Sequence, residues 1–135
     1  LVERAERGGV RERVVFGGYR PRGDAYLSLF DLLVLPSRNE GMPLTLLEAF
    51  RERVPILASS IPEHREILQE GALGALFPGD DREALETLLE KTLALAPRER
   101  ALLVERGVQR FVERFSREKM EEGYRALYAA LRGRG

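Results

Sequence analysis

The chain has 135 residues, of which 44% are hydrophobic and 33% are charged, a balance typical of one soluble folded domain. Its 22 basic residues match its 22 acidic residues, so no net field favours nucleic acid or an anionic membrane as a partner. It has no cysteine and one histidine, which excludes disulfides, thiolate ligands, cysteine nucleophiles and histidine-rich metal sites.

The first part of the chain predicts two helices and two strands. Residues 1–7 are predicted to form a helix that stops at Gly8 and Gly9, and residues 13–17 a short strand. A helix is predicted over about residues 24–30, with Asp24 as its N-cap. The purely apolar residues 32–35 predict a buried strand.

The middle of the chain continues this alternation of strands and helices. A helix is predicted from Pro43, a residue suited to the first helical position, to about Arg53. Strands are predicted at residues 54–58 and 75–77, with a helix over about 63–70 between them. His64 is predicted to be a surface residue near the start of that helix.

The last third of the chain is predicted to be helical. Asp80 and Asp81 are expected to cap one helix, Pro97 to open a second and Ser116 to cap the last. Apolar residues recur at helical spacing on all three helices, so these stripes are predicted to face the core. In the last helix the stripe consists of Met120, Tyr124, Leu127, Tyr128 and Leu131. The tail from Arg132 to Gly135 is expected to fray.

Short apolar strands that alternate with helices indicate βαβ units. The predicted fold class is therefore α/β, with a Rossmann-like parallel sheet flanked by helices. Because the chain opens on a helix, we expect it to start inside such a unit, with residues 1–135 forming one domain.

Two glutamates at a predicted strand-to-helix junction are the main candidates for chemistry. Glu40 precedes the helix that starts at Pro43, and Glu48 lies in its second turn with its Cα–Cβ bond tilted toward the helix start. Ligands of open α/β sheets collect at such junctions, and unpaired amides there accept phosphate. A purely structural role stays open for each glutamate. The helix dipole can stabilise the negative charge of Glu40 at the helix N-terminus, and Glu48 can form an ion pair with Arg51 or Arg53.

Around these glutamates the chain resembles the carboxyl-terminal, donor-binding half of the retaining GT-B glycosyltransferases. The similar group is the glycogen-synthase-like family 4, also called group 1 glycosyltransferases, whose hallmark is a glutamate, seven residues and a second glutamate. The resemblance covers about residues 13–128. It is carried by Phe16-Gly17, by residues 31–37 and 71–80, and by Glu40-Gly41, Leu47-Glu48-Ala49, Val54-Pro55 and Gly74.

The resemblance implies a role for each matching residue. Glu48 would bind the ribose hydroxyls of a nucleotide-diphosphate sugar, and the catalytic Glu40 would face the transferred sugar. The amides around Gly41, Met42, Leu44 and Thr45 would hold sugar and diphosphate, whereas Pro43 has no N–H to donate. Tyr19 lies where the family contacts the nucleobase, and it can equally be a surface aromatic.

The resemblance also implies a larger two-domain enzyme, of which residues 1–135 would be a fragment without transfer activity of its own. The whole enzyme would pass a glycosyl group to a hydroxyl acceptor (a sugar, lipid or polysaccharide) with retention, without a metal ion or other cofactor. The alternatives are a non-catalytic nucleotide-binding or interaction module, or a GT-B epimerase or phosphorylase. A receiver-like signalling domain fits less well, because it needs a lysine after a strand, and both lysines, Lys91 and Lys119, lie inside predicted helices.

The cellular location of the protein and the type of source organism can be predicted only from sequence composition. No apolar run approaches the roughly 18–20 residues of a membrane span, so we expect a cytoplasmic protein. The resemblance still allows peripheral membrane association of the full-length enzyme. Lysine occurs only at positions 91 and 119 and asparagine only at 39, a bias toward arginine that suits a thermophile.

Overall fold

The computed structural model describes residues 1–132 and contains a three-stranded parallel sheet. Strand β1 is Leu33–Leu35, β2 is Ile56–Ser59 and β3 is Ala75–Phe77, in the spatial order β1-β2-β3. β2 has a neighbour on both sides, and all four of its residues are buried. The predicted α/β class with a parallel sheet is confirmed, and β3 lies at the predicted residues.

Each connection between neighbouring strands runs through a helix, as parallel pairing requires. Helix α2 (Leu44–Arg51) connects β1 to β2, and α3 (Pro62–Ile67) connects β2 to β3. Pro43, predicted as the first helical residue, is instead the N-cap of α2, with a ψ of 77° that lies outside the helical region.

Four further helices flank these units: α1 (Val2–Arg7), α4 (Arg82–Leu93), α5 (Pro97–Arg114) and α6 (Arg117–Arg132). The predicted caps Asp81 and Ser116 are confirmed, whereas Asp80, predicted to cap α4 together with Asp81, pairs with Arg38 instead. The Asp81 carboxylate accepts a hydrogen bond from the Ala84 amide at 2.8 Å, and the Ser116 hydroxyl accepts one from the Lys119 amide at 3.3 Å. Pro97 is the first residue of α5.

The core lies between the sheet, α2 and α5. α2 turns one face inward and buries Leu46, Leu47, Ala49 and Phe50. Gly107, the buried residue of α5, lies against the Phe50 ring, and this close approach is possible because glycine has no Cβ. α2 is therefore fixed between β1, β2 and α5, and this packing sets the direction of its outward face.

The segment before β1 differs from its prediction in two ways. The strand predicted over residues 13–17 is absent from the described structure: Arg11–Arg13 is a 3₁₀ helix, and Val15 is 91% exposed. An apolar segment becomes a strand only by pairing sideways, and this one has no partner among residues 1–132. The helix predicted over 24–30 is a 3₁₀ helix, Gly23–Leu29, in which Asp24 pairs with Arg51 rather than capping.

Burial differs from prediction at three places. His64 is fully buried, not on the surface, because its ring turns inward to hydrogen-bond the Ser59 carbonyl. β1 is only partly buried, since it lies at the edge of the sheet with Val34 exposed. The apolar stripe of α6 is not core, because no residue of that helix is buried within the described structure. The predicted fraying of residues 132–135 lies outside the described residues from position 133 onward.

Candidate functional site

The candidate site lies where β1 ends and α2 begins. Because the strands are parallel, the carboxyl ends of β1 and β2 meet at one edge of the sheet, where open α/β sheets bind their ligands. The loop of residues 36–43 carries Glu40 along this edge, and α2 carries Glu48 in its second turn.

Glu40 is half-buried and held at one oxygen. The Ser37 hydroxyl donates a hydrogen bond to its Oε1 at 2.7 Å. Within residues 1–132, its second oxygen has no hydrogen-bond partner in the protein. Glu40 is thus a fixed carboxylate with one oxygen available to accept from a hydroxyl group.

Glu48 is also half-buried, and it lines a cavity of about 350 Å³ together with Gly23, Asp24, Leu27 and Thr45. No hydrogen bond or ion pair engages its carboxylate anywhere in the described chain, which ends at residue 132. A carboxylate in this position can accept two hydrogen bonds from a neighbouring pair of hydroxyls.

The arginines that could have neutralised Glu48 pair elsewhere. Arg51 donates to Glu52 at 2.8 Å and to Asp24 at 2.9 Å, and these two carboxylates, Glu52 first, raise the pKa of Arg51 above its ordinary value. Arg53 pairs with Glu105. The purely structural interpretation of Glu48 as an ion-pair partner of Arg51 or Arg53 is therefore wrong. Glu48 and Glu52 lie four residues apart and would repel each other, and the ion pair between Arg51 and Glu52 reduces this repulsion.

The start of α2 presents part of the predicted anion site. Among residues 1–132, the amides of Gly41, Met42 and Thr45 have no partner in the protein. The Leu44 amide instead donates to the Met42 carbonyl at 2.8 Å. Three of the four amides predicted to hold sugar and diphosphate are therefore free to donate in this conformation.

Tyr19 lies beside a second cavity of about 440 Å³, which is lined by Gly17, Gly18, Arg20, Gly23, Tyr26 and Phe30. Its side chain is 91% exposed. Gly23 lines both this cavity and the one that holds Glu48. The cavity beside Tyr19 and the cavity that holds Thr45 and Glu48 therefore adjoin each other at Gly23.

Several residues of these cavities were not predicted as site residues. Asp24, Tyr26 and Phe30 belong to the 3₁₀ helix Gly23–Leu29 or follow it directly, and α2 packs against that segment. Their sequence signal is weak, since Tyr26 and Phe30 are only aromatic residues near a glycine-rich loop, and Asp24 has the pattern of an N-cap. His64, predicted to be on the surface, is a buried polar residue near the carboxyl end of β2.

The described residues contain neither a metal-binding cluster nor a membrane-spanning helix. No group of three or more His, Asp or Glu side chains within residues 1–132 lies close enough together to hold a metal ion. None of the helices in that range combines the length and apolar character that crossing a membrane requires.

Comparisons with known proteins agree on one family. The family described as "Glycosyl transferases group 1" matches residues 1–94. The lipopolysaccharide core biosynthesis mannosyltransferase LpcC of Rhizobium leguminosarum bv. viciae is 32% identical over 130 residues, which cover 93% of this chain and 35% of that protein. The corresponding mannosyltransferase LpsB of Rhizobium meliloti is 29% identical, over 97% of this chain and 38% of that protein.

Solved structures give the same result for the fold. Sucrose-phosphate synthase from Thermosynechococcus elongatus superimposes with a TM-score of 0.81 at 27% identity, over 95% of this chain and 33% of that one. WaaG, a glycosyltransferase involved in lipopolysaccharide biosynthesis, superimposes with a TM-score of 0.72 at 24% identity, over 88% and 32%. The chain thus spans about a third of the length of the relatives that it matches.

Proposed function

The chain belongs to the group 1 glycosyl transferases and has their GT-B type of α/β fold, and from this premise we propose that it binds a nucleotide-sugar donor. We propose that residues 1–135 are the donor-binding part of a larger two-domain enzyme. That enzyme transfers a glycosyl group from a nucleotide-diphosphate sugar to a hydroxyl acceptor, with retention at the anomeric carbon.

The observation that carries the proposal is the unpaired Glu48 carboxylate. It lines a cavity beside Thr45, one turn from the free amides at the start of α2. A carboxylate suits the two ribose hydroxyls of a nucleotide, and amides at a helix start suit its diphosphate. The adjoining cavity beside Tyr19 and Tyr26 offers aromatic surface to the base. These features fit the three parts of one ligand.

Glu40 acts on the transferred sugar in this proposal. The bond between the anomeric carbon and the diphosphate oxygen breaks, the acceptor oxygen bonds to the same face, and the proton of the acceptor hydroxyl passes to the departing diphosphate oxygen. The Glu40 carboxylate binds sugar hydroxyls and stabilises the positive charge that develops on the ring. The amides of Gly41, Met42 and Thr45 stabilise the departing diphosphate, and no metal ion or other cofactor is part of the proposal.

The acceptor binds outside this chain in our proposal, on the other domain. Two relatives are named as mannosyltransferases of lipopolysaccharide core synthesis. We therefore propose a sugar, lipid or polysaccharide hydroxyl as the acceptor and a cytoplasmic enzyme that works at the membrane surface. No observation favours a non-catalytic module, an epimerase or a phosphorylase.

Calorimetric titration of the complete enzyme with UDP, GDP and ADP tests the donor site. We expect one of them to bind, and Glu48→Gln to weaken its binding about 10-fold or more, as expected for the loss of charged hydrogen bonds. Glu52→Gln is the matched control, because Glu52 lies one turn further along and pairs with Arg51 instead. Absence of binding by all three nucleotides would contradict the proposal.

Release of nucleoside diphosphate from UDP-glucose, GDP-mannose and ADP-glucose measures turnover. We expect Glu40→Gln in the complete enzyme to lower turnover about 100-fold or more, because it removes charge stabilisation at the reacting carbon. Wild-type turnover in this variant would exclude Glu40 from the reaction. Residues 1–135 alone are expected to show no transfer.

A further inference from the structure

Ser59 and His64 form a buried polar pair at the carboxyl end of β2. Both are 0% exposed, among side chains that are otherwise mainly apolar. A buried polar group is destabilising unless it is hydrogen-bonded, so the partners of this pair indicate what it stabilises.

The hydrogen bond of His64 fixes the direction of the pair. Its Nδ1 lies 2.8 Å from the Ser59 carbonyl oxygen, which can only accept, so Nδ1 carries the hydrogen. Nδ1 also lies 3.3 Å from the Ser59 hydroxyl. Because Nδ1 is a donor, that hydroxyl cannot donate to it and directs its own hydrogen elsewhere. Nε2 is buried without a partner among residues 1–132.

The Ser59 hydroxyl directs its hydrogen to the loop that carries Glu40. It donates to the Ser37 carbonyl at 2.5 Å, across 22 positions of sequence. The Ser37 hydroxyl in turn donates to Glu40 Oε1 at 2.7 Å. Ser37 therefore links the sheet to Glu40 through two separate groups: its backbone carbonyl accepts from Ser59, and its side-chain hydroxyl donates to Glu40. His64 in turn donates to the Ser59 carbonyl.

We propose that Ser37 and Ser59 are positioning residues for Glu40, with His64 fixing the Ser59 side chain; this role rests on the function proposed for Glu40. Glu40 lies in a loop without regular structure, whereas Ser59 ends a strand that is paired on both sides. The hydrogen bond from Ser59 to the Ser37 carbonyl therefore fixes the position of the loop relative to the sheet. Loss of either hydroxyl releases the carboxylate from its place and leaves the Glu48 cavity unchanged.

Substitutions in the complete enzyme test this proposal. Ser37→Ala and Ser59→Ala are expected to lower kcat about 10- to 100-fold, because small displacements of a catalytic group are costly. Binding of UDP, GDP or ADP, whichever the wild type binds, is expected to stay within about 2-fold, as is usual when ground-state binding is untouched. Ser59→Thr keeps the hydroxyl and is expected to retain turnover.

Ser60→Ala is the matched control. Ser60 follows Ser59 directly, but its hydroxyl accepts from Arg65 at 3.2 Å and is not connected to Glu40. Turnover is expected to stay at the wild-type level. An equal loss in the Ser59 and Ser60 variants would overturn the positioning role.

A double-mutant cycle separates positioning from general damage to the fold. If Ser59 acts through Glu40, Ser59→Ala lowers kcat little further in a Glu40→Gln background. Equal losses in both backgrounds, or unchanged kcat in Ser37→Ala and Ser59→Ala, overturn the proposal. Should Ser59→Ala fail to fold, Ser37→Ala carries the same cycle, because Ser37 lies in the loop and is half-buried.

The two proposals fail in different ways. Wild-type turnover in Glu40→Gln overturns the function proposed for Glu40. Reduced turnover in Glu40→Gln, together with unaffected serine variants, overturns only the positioning role.

Discussion

Gly107→Ala tests the packing of α5 on α2. A Cβ at position 107 would lie 2.6 Å from Cδ1 and 2.8 Å from Cε1 of Phe50. Favourable carbon contacts occur at about 3.5–4.0 Å, so the ring or the helix must move. Phe50 is only 3% exposed, and it packs within the core of α2 and the sheet, so its ring has little room to turn away.

The magnitude follows from two opposed terms. Replacement of glycine by alanine inside a helix stabilises by about 0.8–1 kcal/mol. Insertion of a methyl group into a filled core destabilises by about 1–3 kcal/mol. Gly123→Ala in α6 isolates the first term, because nothing else in the described structure lies within 4 Å of the added Cβ. The free energy of unfolding of Gly107→Ala should therefore fall below that of Gly123→Ala by about 1–3 kcal/mol.

Urea unfolding of the two variants, followed by circular dichroism, measures this difference. Phe50→Leu in the Gly107→Ala background should remove part of the clash, so the coupling between positions 50 and 107 should be favourable. Equal stabilisation by both alanine substitutions would refute the inference that the Phe50 ring fills the space beside Gly107.

Two further predictions concern stability and use the same unfolding assay. Asp81→Ala should destabilise by about 1 kcal/mol because α4 loses its N-cap, whereas Asp80→Ala should stay within about 0.5 kcal/mol, since its ion pair is almost fully exposed; equal effects would contradict the cap. Leu127→Gln should also stay within about 0.5 kcal/mol because Leu127 is 55% exposed, whereas Leu57→Ala in β2 should cost about 2–5 kcal/mol. A large loss in Leu127→Gln would show that the α6 stripe is packed.

Features set by near neighbours in sequence were predictable. The Asp81 cap, Pro97 at the start of α5 and the strand at residues 75–77 all follow from local signals. The strand predicted at residues 13–17 does not form in the described structure, because a strand exists only when another strand pairs with it and local sequence does not reveal the partner. Spacing in α6 indicates an apolar face but does not specify what packs against it.

The candidate site likewise has residues that local sequence predicts and residues that only tertiary packing brings to it. Glu40 and Glu48 were found because a strand, a loop and a helix follow one another in sequence. Asp24 and Tyr26 were missed as site residues, since packing of the 3₁₀ helix against α2 brings Asp24 into the Glu48 cavity, while Tyr26 lines the cavity beside Tyr19. His64 was wrongly predicted to lie on the surface, because polar side chains usually do. Its hydrogen bond to the Ser59 carbonyl offsets the free-energy cost of burying the ring.

The series of hydrogen bonds from β2 to Glu40 also affects how the loop can open. Residues 36–43 cannot leave the sheet edge without breaking the bond between Ser59 and Ser37, which contributes about 0.5–1.5 kcal/mol. Opening of this loop is therefore rarer than that of an untethered loop by roughly 2- to 10-fold, and it remains far more frequent than unfolding of β2 itself. Each time this bond re-forms, it brings Ser37, and with it the Glu40 carboxylate, back to the same position.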